Sequence, residues 1–294
     1  MRVLVSGSRG LIGSTLIPAL ESGGHSVIRL VRGKAGKNEV SWDPVGQLDP
    51  GAVAGFDAVV HLAGESIAGR WTDSKKQRIA DSRIQGTRTL VNALSLSSSR
   101  PRVLVGASAV GYYGDRADEL LTEQSPPGND FLANVCQRWE QAVEEAASAG
   151  IRTVELRIGL VLSREGGGLA QMLPPFRMGV GGRMGSGKQY WPWVAINDIV
   201  GAILHALQTD TMRGPYNAVA PQPVTNAEFT KTLGQVLHRP TVFPMPAFVV
   251  RTVFGEMGTA LLLASQRVSP KKLEGTGFRF KHPDLKPALE ELVK

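Results

Sequence analysis

Residues 5–13 read VSGSRGLIG, and Arg2–Ser6 just before them is a short, β-branched, apolar run that predicts a strand. The pattern over Leu11–Ser22 predicts a helix, so Gly7, Gly10 and Gly13 stand at the turn from strand into helix with the spacing GxxGxxG. Glycines at such a turn let the backbone come close to a ligand. The free N–H groups of the helix start attract a pyrophosphate. The loop carrying Gly7, Arg9, Gly10, Leu11, Ile12 and Gly13 is therefore predicted to hold a dinucleotide. Arg9 is its unusual member.

Outward from this loop, strand and helix patterns alternate. Residues 26–31, 58–62, 102–108 and 153–160 predict strands, and 74–97 and 131–148 predict helices. This alternation predicts an α/β fold, a Rossmann-like doubly wound parallel sheet with helices on both faces. Ligands of such sheets lie at the carboxyl ends of the strands. Residues 1–162 are expected to form the nucleotide-binding domain, with 194–243 returning to it. Residues 163–193, rich in Gly and Pro and without a long periodic segment, are expected to be a substrate-side loop region. Residues 244–294 are expected to form a small, mainly helical C-terminal region. Thr225 and Glu228 read as a capping box, and Asp198 as the cap of the helix that follows it.

The second strand reads VIRLVRGK, with Arg32 at its end and no acid beside it. An NAD site usually places Asp or Glu there for the ribose hydroxyls, whereas the 2′-phosphate of NADP needs cations. Arg32 therefore points to NADP. Arg9, projecting from the glycine loop, would join Arg32 on the phosphate.

Composition narrows the partners. The 294 residues carry 33 Lys and Arg against 26 Asp and Glu, a net charge of +7, but the cations are scattered rather than gathered in a stripe. Nucleic acid is therefore not an expected partner. No apolar run approaches the roughly 20 residues of a membrane span, and the start MRVLVSGS does not read as a secretory signal. Cys136 stands alone, so no internal disulfide can form. His25, His61, His205, His238 and His282 show no metal-ligand spacing. These features predict a cytoplasmic protein with a small-molecule substrate, no metal and no membrane partner; a homodimer is compatible with them.

The segments GSRGLIG, HLAGESI, RWTDSKKQRIADSRIQGT, SAVGYYG, LRIGLVL, GSGKQYWPWVAINDIV, YNAVAPQPVTNAEF and QRVSPKKLEGTGF, with Trp139-Glu140, span essentially the entire chain. Together they resemble the atypical extended short-chain dehydrogenase/reductases of the epimerase family, the nucleoside-diphosphate-sugar epimerase group. The resemblance implies an NADP-dependent oxidoreductase or epimerase acting on a small, nucleotide-sugar-like substrate, or else a non-catalytic NADP-binding or sensing protein. It implies that Leu62, Ala63 and Gly64 line the cofactor and that Val31 and Arg32 hold its adenosine phosphate end. Arg83 would approach from the long helix, with Arg78 as a second candidate, and Val161 would lie near the nicotinamide.

One departure stands against this likeness. The parent superfamily uses a Tyr and a Lys four residues later on one helical face, the ammonium lowering the phenol pKa from about 10. Tyr112, Tyr113, Tyr190 and Tyr216 have no such lysine, and the corresponding helix reads FLANVCQRWEQAVEEAA, with Phe131, Leu132, Val135 and Cys136 around the expected places. Cys136 reads as a small core residue. Aligning YYG puts Ala109 where the usual Ser or Thr stands and Ser108 one residue earlier. Ser108 and Tyr112 are thus the catalytic candidates, with Arg116 as charge partner of Tyr112. Lys188, Gln189, Trp191 and Trp193, after a GSGK that lacks Walker spacing, are expected to meet the substrate.

Overall fold

A computed structural model describes residues 1–294. The chain runs β1 (Arg2–Ser6), α1 (Leu11–Ser22), β2 (Ser26–Arg32), β3 (Glu39–Trp42), β4 (Ala58–His61), α2 (Asp73–Leu96), β5 (Val103–Ala109), the two-residue β6 (Leu120–Leu121), α3 (Phe131–Glu144) and β7 (Arg152–Ile158). After these come β8 (Leu160–Leu162), α4 (Gly167–Arg177), β9 (Tyr190–Trp191), β10 (Trp193–Ala195), α5 (Ile196–Gln208) and β11 (Gly214–Ala218). The chain ends with β12 (Val224–Thr225), α6 (Asn226–Leu237), α7 (Ala247–Gly258), β13 (Arg267–Val268), α8 (Lys271–Glu274) and α9 (Leu285–Leu292).

Seven strands form one sheet in the order β11-β7-β5-β4-β1-β2-β3, and every pairing in it is parallel. Parallel strands need crossovers, and the helices that supply them cover both faces. For that reason β4 and β7 are buried along their entire lengths instead of alternating. The strand order reverses at β1, so a crevice opens between the carboxyl ends of β1 and β4. The expected Rossmann-like architecture is present, and α1 occupies its predicted bounds.

A second, smaller core joins α4, α6, α9 and the β9–β10 segment through Leu169, Leu173, Phe176, Trp191, Trp193, Phe229 and Leu285. Three expectations are corrected here. The 163–193 region is not all loop, because Leu169, Leu173 and Phe176 recur at helical spacing and are buried on one face of α4. Pro174 and Pro175 inside the helix masked that period in the sequence. Trp191 and Trp193 do not face a ligand: both belong to this core, and the Trp191 indole donates to the Leu262 carbonyl at 3.2 Å. Gln189 is buried as well and donates to the carbonyls of Met184 and Leu262, which leaves Lys188 as the exposed member of that set.

Asp198 is not a cap. It lies inside α5, whose first residue is Ile196, and its buried carboxylate accepts the backbone N–H groups of Lys281 (2.6 Å) and His282 (3.0 Å). It ties the C-terminal region to the sheet's helical layer. The capping box at Thr225 and Glu228 is present as read.

Candidate functional site

Gly7 leaves β1 with φ +68°, a left-handed conformation that L side chains rarely adopt. A Cβ on it would lie 2.6 Å from the Leu62 carbonyl carbon and 2.8 Å from the Ala63 nitrogen. The end of β1 and the segment after β4 are therefore in direct backbone contact, and only a glycine fits between them. Gly13, on the first turn of α1, faces back on the same loop, since a Cβ there would meet the Gly7 carbonyl oxygen at 2.3 Å. Gly10 stands at the N-cap of α1 without any side-chain cap, so the helix N-terminus opens toward the crevice.

Beneath this cradle runs a chain of buried hydrogen bonds. The N–H groups of Leu62 and Ala63 donate to Ser6 Oγ at 3.2 and 3.3 Å, and Ser6 Oγ lies 2.6 Å from His61 Nδ1. On the other side His61 Nε2 lies 3.0 Å from Thr87 Oγ1, and the Thr87 hydroxyl donates to the Arg83 carbonyl. With Thr87 committed as a donor, His61 Nε2 carries the proton and Nδ1 accepts from Ser6. His61 is fully buried, and burial pushes its pKa down to about 4. The unfolded chain then binds a proton more readily than the folded one between about pH 6.5 and 4, so stability is full above this window and falls as pH drops through it. The expected loss is about 3 kcal/mol at most. Thermal melts from pH 7 to pH 4 should show it, with His61→Gln flatter than wild type; parallel curves would remove His61 as the source.

The cations around the crevice are arranged differently from the sequence expectation. Arg9, mostly solvent-exposed, reaches Glu39 at 3.5 Å rather than standing free beside Arg32. Glu39 was not legible as a neighbour because β3 brings it in after a six-residue gap from Arg32, and it also accepts the Gly36 N–H at 2.8 Å. Arg32 is exposed at the end of β2, while Val31 is buried behind it and Ile12 packs on the core. Arg78 is drawn toward Glu65 at 3.7 Å. The Lys75 ammonium at 2.8 Å from Glu65 is the main reason its carboxyl is held below the usual range, with Arg78 and Arg32 adding to the pull.

Arg83 does reach the cradle. Its Nη1 donates to the carbonyls of Glu65 (3.0 Å) and Ile79 (3.2 Å), its guanidinium lies over the Trp139 ring, and a Cβ on Gly64 would be 3.1 Å from its Cζ. Val161 sits in β8, paired with Val194, and its carbonyl lies 3.6 Å from where a Cβ of Gly167 would stand. Leu11 is 3.1 Å from that same point. Leu11 and Val161 thus flank the start of α4, which closes one side of the crevice.

The catalytic candidates fare differently. Ser108 is buried, and its hydroxyl donates to Glu140 at 2.6 Å. Arg157 grips the same carboxylate with two bonds, Nε to Oε1 at 2.9 Å and Nη2 to Oε2 at 2.8 Å. Arg157 also donates to the Tyr113 hydroxyl at 2.9 Å and lies 3.5 Å from the centre of the Tyr112 ring. The cation beside Tyr112 is therefore Arg157, and not Arg116, which pairs with Glu119. Tyr113 is fully buried, and burial raises its hydroxyl to about 12, so it holds its proton near neutrality. Glu140 and Arg157 were present in quoted motifs, yet nothing in their spacing joined a helix residue to one on the next strand.

At the place of the missing Tyr and Lys, Leu132 and Cys136 pack over Gly111. Burial pushes the Cys136 thiol up to about 12, with Glu140 adding to the effect, so it stays protonated and inert.

Comparison with known proteins agrees with this geometry. The profile of the NAD dependent epimerase/dehydratase family matches residues 3–218, and residues 245–292 match a domain of unknown function, DUF1731. The chain is 43% identical over 290 residues to epimerase family protein Mb2239 of Mycobacterium bovis, covering 98% of this chain and 96% of that protein. It is 39% identical to the human epimerase family protein SDR39U1 over the full length of both. The crystal structure of human SDR39U1 (isoform2) with NADPH superposes with a TM-score of 0.91 at 37% identity, covering 99% of each chain. The fold that carries this cradle thus has its counterpart in a protein crystallised with NADPH. The chain belongs to the NAD dependent epimerase/dehydratase family and, within it, to the epimerase family proteins.

Proposed function

We propose that the protein is an NADP-dependent oxidoreductase or epimerase acting on a small, nucleotide-sugar-like substrate. The observation that carries the reading is the cradle, where a Cβ on Gly7 or Gly13 would strike backbone at under 3 Å, beside an uncapped helix start and an exposed Arg32. These residues fit a dinucleotide phosphate. Gly7, Gly10 and Gly13 would admit its pyrophosphate; Arg32, joined by Arg9 once Arg9 leaves Glu39, would hold the 2′-phosphate. Leu62, Ala63, Gly64, Arg83 and Val161 would line the remainder. NADP, when bound, supplies the hydride donor and acceptor.

The protein's own residues hold the surroundings fixed. Ser6 and His61 fix the Leu62–Ala63 backbone through hydrogen bonds, and the Ser108–Glu140–Arg157 network fixes the end of β5. Tyr112, half-buried against Arg157, is the hydroxyl group left free to exchange a proton with substrate. Ser108 serves through Glu140 instead.

Calorimetric titration tests the cofactor. NADPH should bind more tightly than NADH, and Arg32→Ala should weaken NADPH by about tenfold to a hundredfold while leaving NADH nearly unchanged, because a hydrogen bond to a charged group contributes roughly 1.5–3 kcal/mol. Equal affinities for both cofactors in the wild type would overturn the reading. A second reading, a non-catalytic NADP(H)-binding protein, is favoured by Leu132 and Cys136 at the place of the proton-transferring pair. Cofactor binding without turnover of any nucleoside-diphosphate sugar would select it.

A further inference from the structure

Glu155 lies in the middle of β7, buried on both sides, and one of its carboxylate oxygens has no hydrogen-bond partner. Its register partners are Gly106 on β5, which offers no side chain, and Pro215 on β11, which has no N–H. An orphaned carboxylate at such a place has no structural explanation of its own. The same Pro215 offers its carbonyl to Lys272 on α8, whose Nζ donates to it at 2.6 Å and lies 4.0 Å from the centre of the Tyr216 ring.

We propose that Glu155 and Lys272 form a proton-governed clasp between the parallel sheet and the C-terminal region. With Glu155 protonated, Lys272 stays on the Pro215 carbonyl. When Glu155 gives its proton to solvent, the Lys272 ammonium moves to the orphaned oxygen and draws α8 onto β7 and β11.

The charged surroundings set the direction. From α3, Glu140 and Glu144 repel the Glu155 anion, and from β7 Thr153 favours it; Glu123 and Arg157 act on Lys272. Burial, followed by the repulsion of Glu140 and Glu144, pushes Glu155 up to about 7. Burial pulls Lys272 down, and Glu123 and Glu155 pull it back up. Glu140 is already held by Arg157 and Ser108, so it does not compete for Lys272. Beside the clasp a neutral bond joins β11 to the C-terminal region, from Asn217 Nδ2 to the Ser269 carbonyl.

A double-mutant cycle on the full chain, with Glu155→Gln, Lys272→Met and the pair, tests the clasp by urea unfolding at pH 6 and pH 8.5. The expected coupling in the unfolding equilibrium constant is less than twofold at pH 6 and about tenfold at pH 8.5, one pKa unit being worth a factor of ten. Equal coupling at the two pH values, or none at either, would overturn the proposal. If Glu155→Gln does not fold, the carboxyl carbon of Glu155 followed by NMR in wild type and Lys272→Met decides the matter. Its midpoint should rise by about one unit when the lysine is lost; an unmoved midpoint refutes the clasp.

Discussion

Replacing Glu140 by alanine should lower the unfolding free energy by about 3–5 kcal/mol, the cost of leaving a buried charge without its partner. The charge in question is the Arg157 guanidinium, 3% exposed at its side chain and doubly bonded to Glu140. What remains for Arg157 after the substitution is the Tyr113 hydroxyl and the Glu123 carbonyl, both neutral. Arg157→Ala should cost a similar amount from the other side. Ser108→Ala removes one hydrogen bond to a charged acceptor and should cost about 1.5–3 kcal/mol. Replacing Glu140 and Arg157 together by methionine should be far milder than either single change, because no charge is then left without a partner. Urea unfolding of the four variants measures all of this; a Glu140→Ala loss under 1 kcal/mol would mean that water reaches the pair.

Gly7→Ala should do more harm than its backbone angle alone predicts, and Gly24→Ala provides the comparison. Gly24 has φ +75°, close to the +68° of Gly7, but no atom stands within 4 Å of a Cβ built on it. Gly24→Ala therefore carries only the left-handed penalty, about 1–2 kcal/mol, and should leave NADPH affinity unchanged. Gly7→Ala carries the same penalty and in addition drives a methyl group into the Leu62–Ala63 backbone, whose position Ser6 and His61 fix from below. The cradle has to open, and NADPH binding should weaken by more than a hundredfold, about 3 kcal/mol. Equal stability losses in the two variants, with NADPH affinity intact in both, would show that the contact between β1 and β4 is not part of the binding site.

Local order was the most legible layer of this chain. The glycine loop, the strand before it and the helix after it sit within ten residues of each other, so spacing alone joins them. Contacts between elements distant in the chain were not legible. Glu39 reaches Arg9 only through the parallel pairing of β2 and β3, and Arg157 reaches Glu140 only because α3 folds back over β7. Trp191, Trp193 and Gln189 looked like ligand contacts because aromatic and polar residues follow a glycine turn, whereas a second core, assembled from α4, α6 and α9, takes in the two tryptophans, and backbone carbonyls hold Gln189. Prolines hid the helix that contributes to that core. Asp198 was misplaced for the same kind of reason, since its partners at 281 and 282 lie far along the sequence.

The sheet order also governs how the chain assembles as it leaves the ribosome. β1 lies inside the sheet, next to the middle strand β4, and five of the seven strands, β1 to β5, lie within residues 2–109 in adjacent positions. A nascent chain of that length already contains every partner these five strands need among themselves. β5 then waits as an open, apolar edge until β7 emerges, and β7 waits in turn for β11, whose arrival requires the segment containing α4 and α5 to be synthesised first. Unpaired edges of this kind recruit other chains. A chain interrupted between residues 163 and 213 would retain its dinucleotide cradle and still present the buried run Arg152–Ile158 as a template for aggregation.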